Sequence, residues 1–149
     1  MNEVKSFLNS VRRQEMEFKA IEEELSRVRT DIYFLKSPRL EEKVQTSHQA
    51  ELSEKVERLE FYEEQVRDEL EKLTSLRITA KKIIALEPDT EKRAILIRRY
   101  LLGQKWESIA VQMNLGLQWV FKLHGQSLFL LESNDLAKEA IKSEYLAVL

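Results

Sequence analysis

Cysteine is absent from these 149 residues. That excludes a disulfide scaffold, a thiol nucleophile and any cysteine-ligated metal. Only three glycines and two prolines interrupt the chain, so little stops long helices from forming. No run approaches the ~20 apolar residues needed to cross a bilayer, and no membrane partner is expected. Met1 to Ser10 lack the basic-then-apolar order of a signal peptide, so a cytoplasmic location is expected. Histidine is scarce too, with only His48 and His124. His124 has no Glu three residues before it, as a di-metal helix bundle would require, and His48 falls in an apparent loop with no second ligand nearby. There is no phosphate-binding glycine loop and no nucleophile elbow. The expectation is a protein that is not an enzyme and takes no metal or cofactor.

What the chain has in abundance is charge and helical periodicity. Charged residues make up 34% of it, yet the net charge is only −2, which argues against indiscriminate coating of nucleic acid. The distribution is uneven. Residues 88–131 hold six basic residues against three acidic, residues 1–87 carry −3, and the last eighteen carry −2. A polyanion is best sought at the basic segment. The runs Glu22-Glu23-Glu24 and Glu63-Glu64 read as solvated helix faces.

The periodicity predicts an all-α fold. Val4, Phe7, Val11, Gln14, Phe18, Ile21, Leu25, Val28, Ile32 and Leu35 are spaced alternately by three and four, a heptad seam over a helix from about Asn2 to Lys36. Such a helix would be roughly 50 Å long. Gln14 is its one polar member. Ser37-Pro38 ends it, and residues 37–49 read as a loop in which Leu40 and Val44 are weak anchors. A second helix is expected from near Ala50, with Leu52, Val56, Leu59, Tyr62 or Glu63, Val66, Leu70, Leu73, Ala80 and Ile84 along its seam. An antiparallel hairpin within one chain satisfies both seams, and so does a homodimer through these N-terminal helices.

Glu87-Pro88-Asp89 marks the clearest boundary. Pro88 breaks the helix, and Asp89 or Thr90 can cap the next one, expected over Glu91–Leu102 and closed by Gly103 in a left-handed conformation. Two short helices follow, Trp106–Met113 and Leu117–Leu131. A last amphipathic helix, capped by Ser133, Asn134 or Asp135, carries Leu136, Ile141 and Tyr145. Three segments result: a coiled-coil-like hairpin over 1–87, a domain over 88–131, and a C-terminal helix over 132–149.

Trp106 to Gly125 carries the functional signal. Ile109 and Met113 lie one turn apart with small Ala110 between them. Asn114 stands at the turn, where it tolerates a left-handed backbone. Leu115 and Gly116 follow, and Val120 and Leu123 face inward from the next helix. Any helical hairpin has apolar positions at similar spacings. The local basic excess and the helix directly before this pair favour a helix-turn-helix, which presents the start of its second helix to a DNA major groove.

The stretch from Leu96 through Arg98-Arg99-Tyr100-Leu101-Leu102-Gly103 and Trp106-Glu107-Ser108-Ile109-Ala110 to Met113, with Trp119-Val120-Phe121-Lys122-Leu123-His124 and Leu128, resembles the fourth conserved region of sigma-70-type factors. It looks most like phage and prophage transcription regulators of the ArpU type. Met1 to Leu8 and Lys43-Val44-Gln45-Thr46-Ser47 are also similar to that group. The resemblance implies sequence-specific binding to double-stranded DNA, control of phage genes and a possible RNA polymerase contact, with His124 as a packing residue. Departures are visible: Leu115-Gly116 stands where the family has Tyr-Ser, Lys105 where a hydroxyl residue caps the first helix, and Gln118 where an Arg is common. A complete sigma factor is not expected, since no segment is left for the −10-reading region that such factors also need.

Helical projection turns Gln118, Phe121, Lys122 and Gly125 outward. Gln118 can pair with an adenine edge and Phe121 can meet a thymine methyl. With Leu117 at the start of the helix, and Arg98, Arg99, Lys105 and further off Lys81 and Lys82 for phosphates, these are the candidate DNA-binding residues. Leu117, Trp119, Phe121, Phe129 and Leu130 make the helix apolar almost all round, as in a helix covered on several sides. That opens a second reading, a coiled-coil adaptor whose degenerate helix-turn-helix binds RNA polymerase or another phage protein. Phe121 is read differently by the two, as a groove contact or as a protein contact.

Overall fold

The computed structural model describes residues 2–36 and 45–148. Its elements are α1 (Glu3–Lys36), α2 (Gln45–Ile84), α3 (Thr90–Leu96), a π-helical turn (Ile97–Leu101), α4 (Trp106–Met113), α5 (Leu117–Glu132) and α6 (Asp135–Val148). Among the described residues there is no strand, and no helix is long and apolar enough to cross a membrane. The second helix begins at Gln45, five residues before Ala50, so residues 45–49 of the expected loop are helical and His48 lies in α2, while residues 37–44 fall outside the described residues. The polar run from Gln45 to Gln49 carries no apolar period to announce a helix. Leu40 and Val44 fall outside the described residues.

The chain forms two compact units, residues 1–16 with 72–149 and residues 17–71; α1 and α2 contribute to both. In the second unit Phe18, Ile21, Leu25 and Ile32 of α1 are buried within the single chain, as heptad positions require. Arg29 meets Glu63 at 3.5 Å and Asp31 meets Lys55 at 3.9 Å, so the two helices run antiparallel there. These partly exposed pairs orient more than they stabilise. On α2, Leu52, Val56, Leu59, Tyr62 and Val66 are half-buried, whereas Leu70, expected on the seam, is exposed. Its position has drifted off the contact face, as a 3.6-residue helix does against a 3.5-residue repeat.

The first unit holds two cores. The larger joins Val4, Phe7, Leu8 and Val11 of α1 with Ala80, Ile83 and Ile84 of α2, Leu96, Tyr100, Leu128 and Leu131, and Ala137 and Ile141 of α6. Polar ties brace its helices. Arg77 grips the buried Glu15 carboxylate at 2.6–3.0 Å. Ser75 and Thr79 donate to the Glu144 carboxylate at 2.8 and 2.7 Å. Glu132 accepts from the backbone N–H groups of Glu3 and Val4, both at 3.0 Å, and so satisfies free donors at the start of α1. The buried face of α6 is therefore Ala137, Ile141 and Glu144; of the apolar residues Leu136, Ile141 and Tyr145 that the sequence places on this helix, only Ile141 is buried. Asn134 is its cap, accepting from Leu136 and Ala137 N–H at 2.9 and 3.2 Å.

The smaller core joins Ile95 of α3, Ile109 and Ala110 of α4, and Val120 and Leu123 of α5, with Trp106, Met113, Leu115 and Leu117 packed at its margin. Asp89 caps α3 by accepting from the Glu91 N–H at 2.9 Å. The helix expected to Leu102 widens instead into the π turn, where the Leu102 N–H reaches the Ile97 carbonyl at 3.0 Å. Gly103 then turns the chain with φ 68°, in the left-handed region expected of it. Ala110 is 7% exposed at the α4–α5 crossing. Ala110→Leu is expected to cost about 1–3 kcal/mol through overpacking, read as a lower midpoint in urea with an unchanged m-value.

Candidate nucleic-acid interface

The angle between α4 and α5 is fixed by the turn between them. Asn114 ends α4 with φ 55° and ψ 46°, and it is the one non-glycine residue with positive φ among those described. The Leu115 N–H closes back on the Ala110 carbonyl at 2.9 Å, a helix-ending bond to a carbonyl that the Asn114 N–H also reaches. Gly116 precedes α5 in an extended conformation without a side-chain cap, and Lys105 precedes α4 likewise. Both caps expected to be missing from the sequence are missing, at modest cost for a glycine.

Helix α5 buries Val120, Leu123, His124, Ser127, Leu128 and Leu131 on one face. Its opposite face carries Gln118, Lys122, Gly125 and Phe129, at steps of four, three and four, all exposed. The apolar girdle is thus split. Trp119 and Phe121 flank the outer stripe at 45% and 41% exposure, and Phe129 is 78% exposed. Gly125 has open space where a side chain would stand.

The predicted site residues fall into three groups. Gln118, Phe121 and Lys122 share the outer face of α5, and Lys105 is exposed just before α4. Leu117 turns into the margin of the small core. Arg98 and Arg99 are half-buried: Arg98 donates to the side chain of Gln112, and Arg99 donates to the Gln104 carbonyl at 3.1 Å while stacking 4.3 Å over Trp106. The Trp106 ring in turn meets Phe121 at 5.4 Å and His124 at 4.6 Å, both edge-on. Phe121 is therefore held at one edge and open at the other. Lys122 leans over Trp119 at 5.2 Å.

The electrostatics sharpen the contrast seen in the sequence. No acidic residue occurs between Ser108 and Leu131. The unit made of residues 1–16 and 72–149 holds fifteen basic residues against ten acidic, and the unit 17–71 holds nine against sixteen. The basic surplus and the α4–α5 pair belong to the same unit.

Two buried contacts that periodicity does not announce hold α5 in place. Glu87 is 1% exposed; its carboxylate accepts from Ser127 at 2.7 Å and from the Asp89 N–H at 3.1 Å. The His124 Nε2 and the Tyr100 hydroxyl lie 2.7 Å apart. Burial pushes His124 down to about 4, helped by the charges of Lys5 and Arg99, and pushes Tyr100 up to about 12. A neutral imidazole and a protonated phenol are complementary partners. The chain matches no family model, no curated protein and no solved structure.

Two measurements check this arrangement. Unfolded His124 takes up a proton near its ordinary 6.5, while the folded residue resists until about 4. Proton uptake on unfolding should therefore erode stability as pH falls from about 6.5 towards 4; denaturant midpoints across that range should drop less in His124→Gln. Separately, Gly125 sits inside a helix where an added methyl meets nothing. Gly125→Ala should raise stability by about 0.5–1 kcal/mol, seen as a higher Tm.

Proposed function

We propose that this chain is a DNA-binding transcription regulator of the phage type, with α4 and α5 as its helix-turn-helix. Residues 17–71 would belong to an N-terminal helical hairpin. The observation that carries the reading is the outer face of α5. It is open, free of carboxylates and set on the core shared by α3, α4 and α5, with Gln118 and Lys122 projecting from its first turns. That is the geometry by which a helix enters a major groove, about 12 Å wide. Gln118 is assigned to a base edge, Phe121 to a thymine methyl, and Lys122 and Lys105 to phosphates. The acidic unit 17–71 is unsuited to lie on a duplex, so the contact is assigned to the basic unit.

A second reading is favoured by one observation. Phe129 at 78% and Val111 at 80% exposure, with Trp119, leave more apolar surface on α4 and α5 than a groove needs. On that reading exposed apolar side chains of α4 and α5 dock on a protein such as RNA polymerase or another phage protein.

Duplex DNA from the neighbourhood of its own gene, titrated across a salt series, separates the two. A regulator prefers particular sequences over bulk DNA and shows a salt slope. Lys122→Ala should weaken binding to all duplexes alike and lower the slope by about one. Gln118→Ala should instead relax preference at one base pair, at a cost of roughly 1–3 kcal/mol there. An adaptor would show neither effect, and Phe121→Ala would abolish its protein complex while leaving weak DNA binding unchanged.

A further inference from the structure

Helix α5 is poor in the groups that read G·C pairs. Guanine is ordinarily read by a cation, most often arginine, and cytosine by a carboxylate. No arginine follows Arg99 anywhere in the chain, and no carboxylate stands between Glu107 and Glu132. Arg98 and Arg99 precede α4 and are engaged, the one with the Gln112 side chain, the other with the Gln104 carbonyl and the Trp106 ring. The single lysine of α5, Lys122, holds its ammonium 5.2 Å over the Trp119 ring. What the first two turns of this helix do expose is one amide, Gln118, and two aromatic rings, Trp119 and Phe121.

The two rings stand on opposite flanks. Gln118 and Lys122 run along the middle of the outer face. Trp119 follows Gln118 by one residue and Phe121 precedes Lys122 by one. A helix turns roughly 100° per residue, so the rings project to either side of that stripe, roughly 160° apart around the axis. Each ring is braced from within the unit and open elsewhere: Phe121 meets the Trp106 ring edge-on at 5.4 Å, and Trp119 lies under the Lys122 ammonium. A braced ring has little freedom left to lose on binding. Gly125 continues the stripe with no side chain and nothing within 4 Å of where one would begin. The helix can therefore lie close to a surface there, at the cost in helix stability that glycine carries.

Thymine is the base that presents an apolar group in the major groove, its 5-methyl. The methyls of the two strands line opposite sides of the groove, so a helix lying in it meets them on its two flanks. We infer that α5 reads an A·T-rich duplex chiefly through thymine methyl groups, Trp119 meeting them on one flank and Phe121 on the other, with Gln118 on an adenine edge between. This rests on the DNA-binding reading and adds to it a class of operator and a second aromatic specificity residue, Trp119. A corollary follows from the chemistry. Cytosine methylated at C5 carries the same methyl in the same place, so the two rings favour it over plain cytosine.

Four duplexes of equal length, compared at one low salt concentration, test this: a non-alternating A·T sequence built with thymine or with uracil, and a non-alternating G·C sequence built with cytosine or with 5-methylcytosine. The wild type should prefer the thymine duplex over plain G·C by about tenfold or more. Uracil should cost about fourfold per contacted methyl, and 5-methylcytosine should raise affinity for the G·C duplex in the same measure. Trp119→Ala and Phe121→Ala should each reduce the thymine-to-uracil ratio, and the double variant should bring it close to unity. Lys105→Ala, which removes a phosphate contact on the same reading, should weaken all four alike and keep the ratio. Equal wild-type binding to the thymine and uracil duplexes overturns the methyl contact and leaves the DNA-binding reading standing; so does a preference for plain G·C. A ratio that survives Trp119→Ala overturns the two-flank arrangement. If the wild type binds none of the four, both readings fall. The decisive base comparisons use the unaltered chain, so they hold even if a variant fails to fold.

Discussion

The placement of α5 depends on one buried carboxylate. Glu87 stands where α2 has ended and α3 has not begun, and from there it holds both the Asp89 N–H and the Ser127 hydroxyl. Arg93 closes the same corner by donating to the Glu87 and Pro88 carbonyls at 2.7 and 3.0 Å. A buried carboxylate is tolerable only when its oxygens are occupied, so Ser127 has little freedom to move, and neither has the helix that carries it. The face of α5 that carries Gln118 and Lys122 is aimed from behind, by residues that never approach a ligand. Tyr100 and His124 repeat the device one turn closer to the turn at Asn114.

The small core complements this polar bracing. Ala110 lets α4 and α5 approach, Val120 and Leu123 fill the contact, and Trp106 closes one margin. Because Trp106 also supports Arg99 on its face and Phe121 at its edge, packing and surface chemistry are coupled there. A change at Trp106 would disturb the core, the position of Phe121 and the guanidinium of Arg99 together.

The elements were largely legible in the sequence because their signals are local. The three-four spacing from Val4 gives α1, Pro88 and Asp89 give the start of α3, and Asn114 with Gly116 gives the α4–α5 turn. Gln118, Phe121 and Lys122 were legible as one exposed face because a helix repeats every 3.6 residues whatever surrounds it. What was not legible depends on partners distant in the chain. Glu15, Glu87, Glu132 and Glu144 look like any other acid of a charged helix, and only the fold brings Arg77, Ser127, the start of α1 and Thr79 to them. The π turn was missed for a related reason: it costs hydrogen-bond geometry locally, and Tyr100 and Arg99 gain their contacts only in the tertiary structure. Which face of α6 is buried was not legible either, because that face includes a polar residue, Glu144, that no apolar pattern selects.

The unit that holds both cores is discontinuous along the chain, and this sets an order during synthesis. Val4, Phe7, Leu8 and Val11 leave the ribosome well before Leu128, Leu131, Ala137 and Ile141, which share their core. The acidic helical segment 17–71 is complete long before. The nascent chain must therefore carry an uncovered apolar start until α5 and α6 emerge, a state in which exposed hydrophobic surface invites association. The Glu132 carboxylate that caps α1 closes the loop between the two ends of this interval, so a ribosome that stalls before Glu132 leaves α1 without its latch.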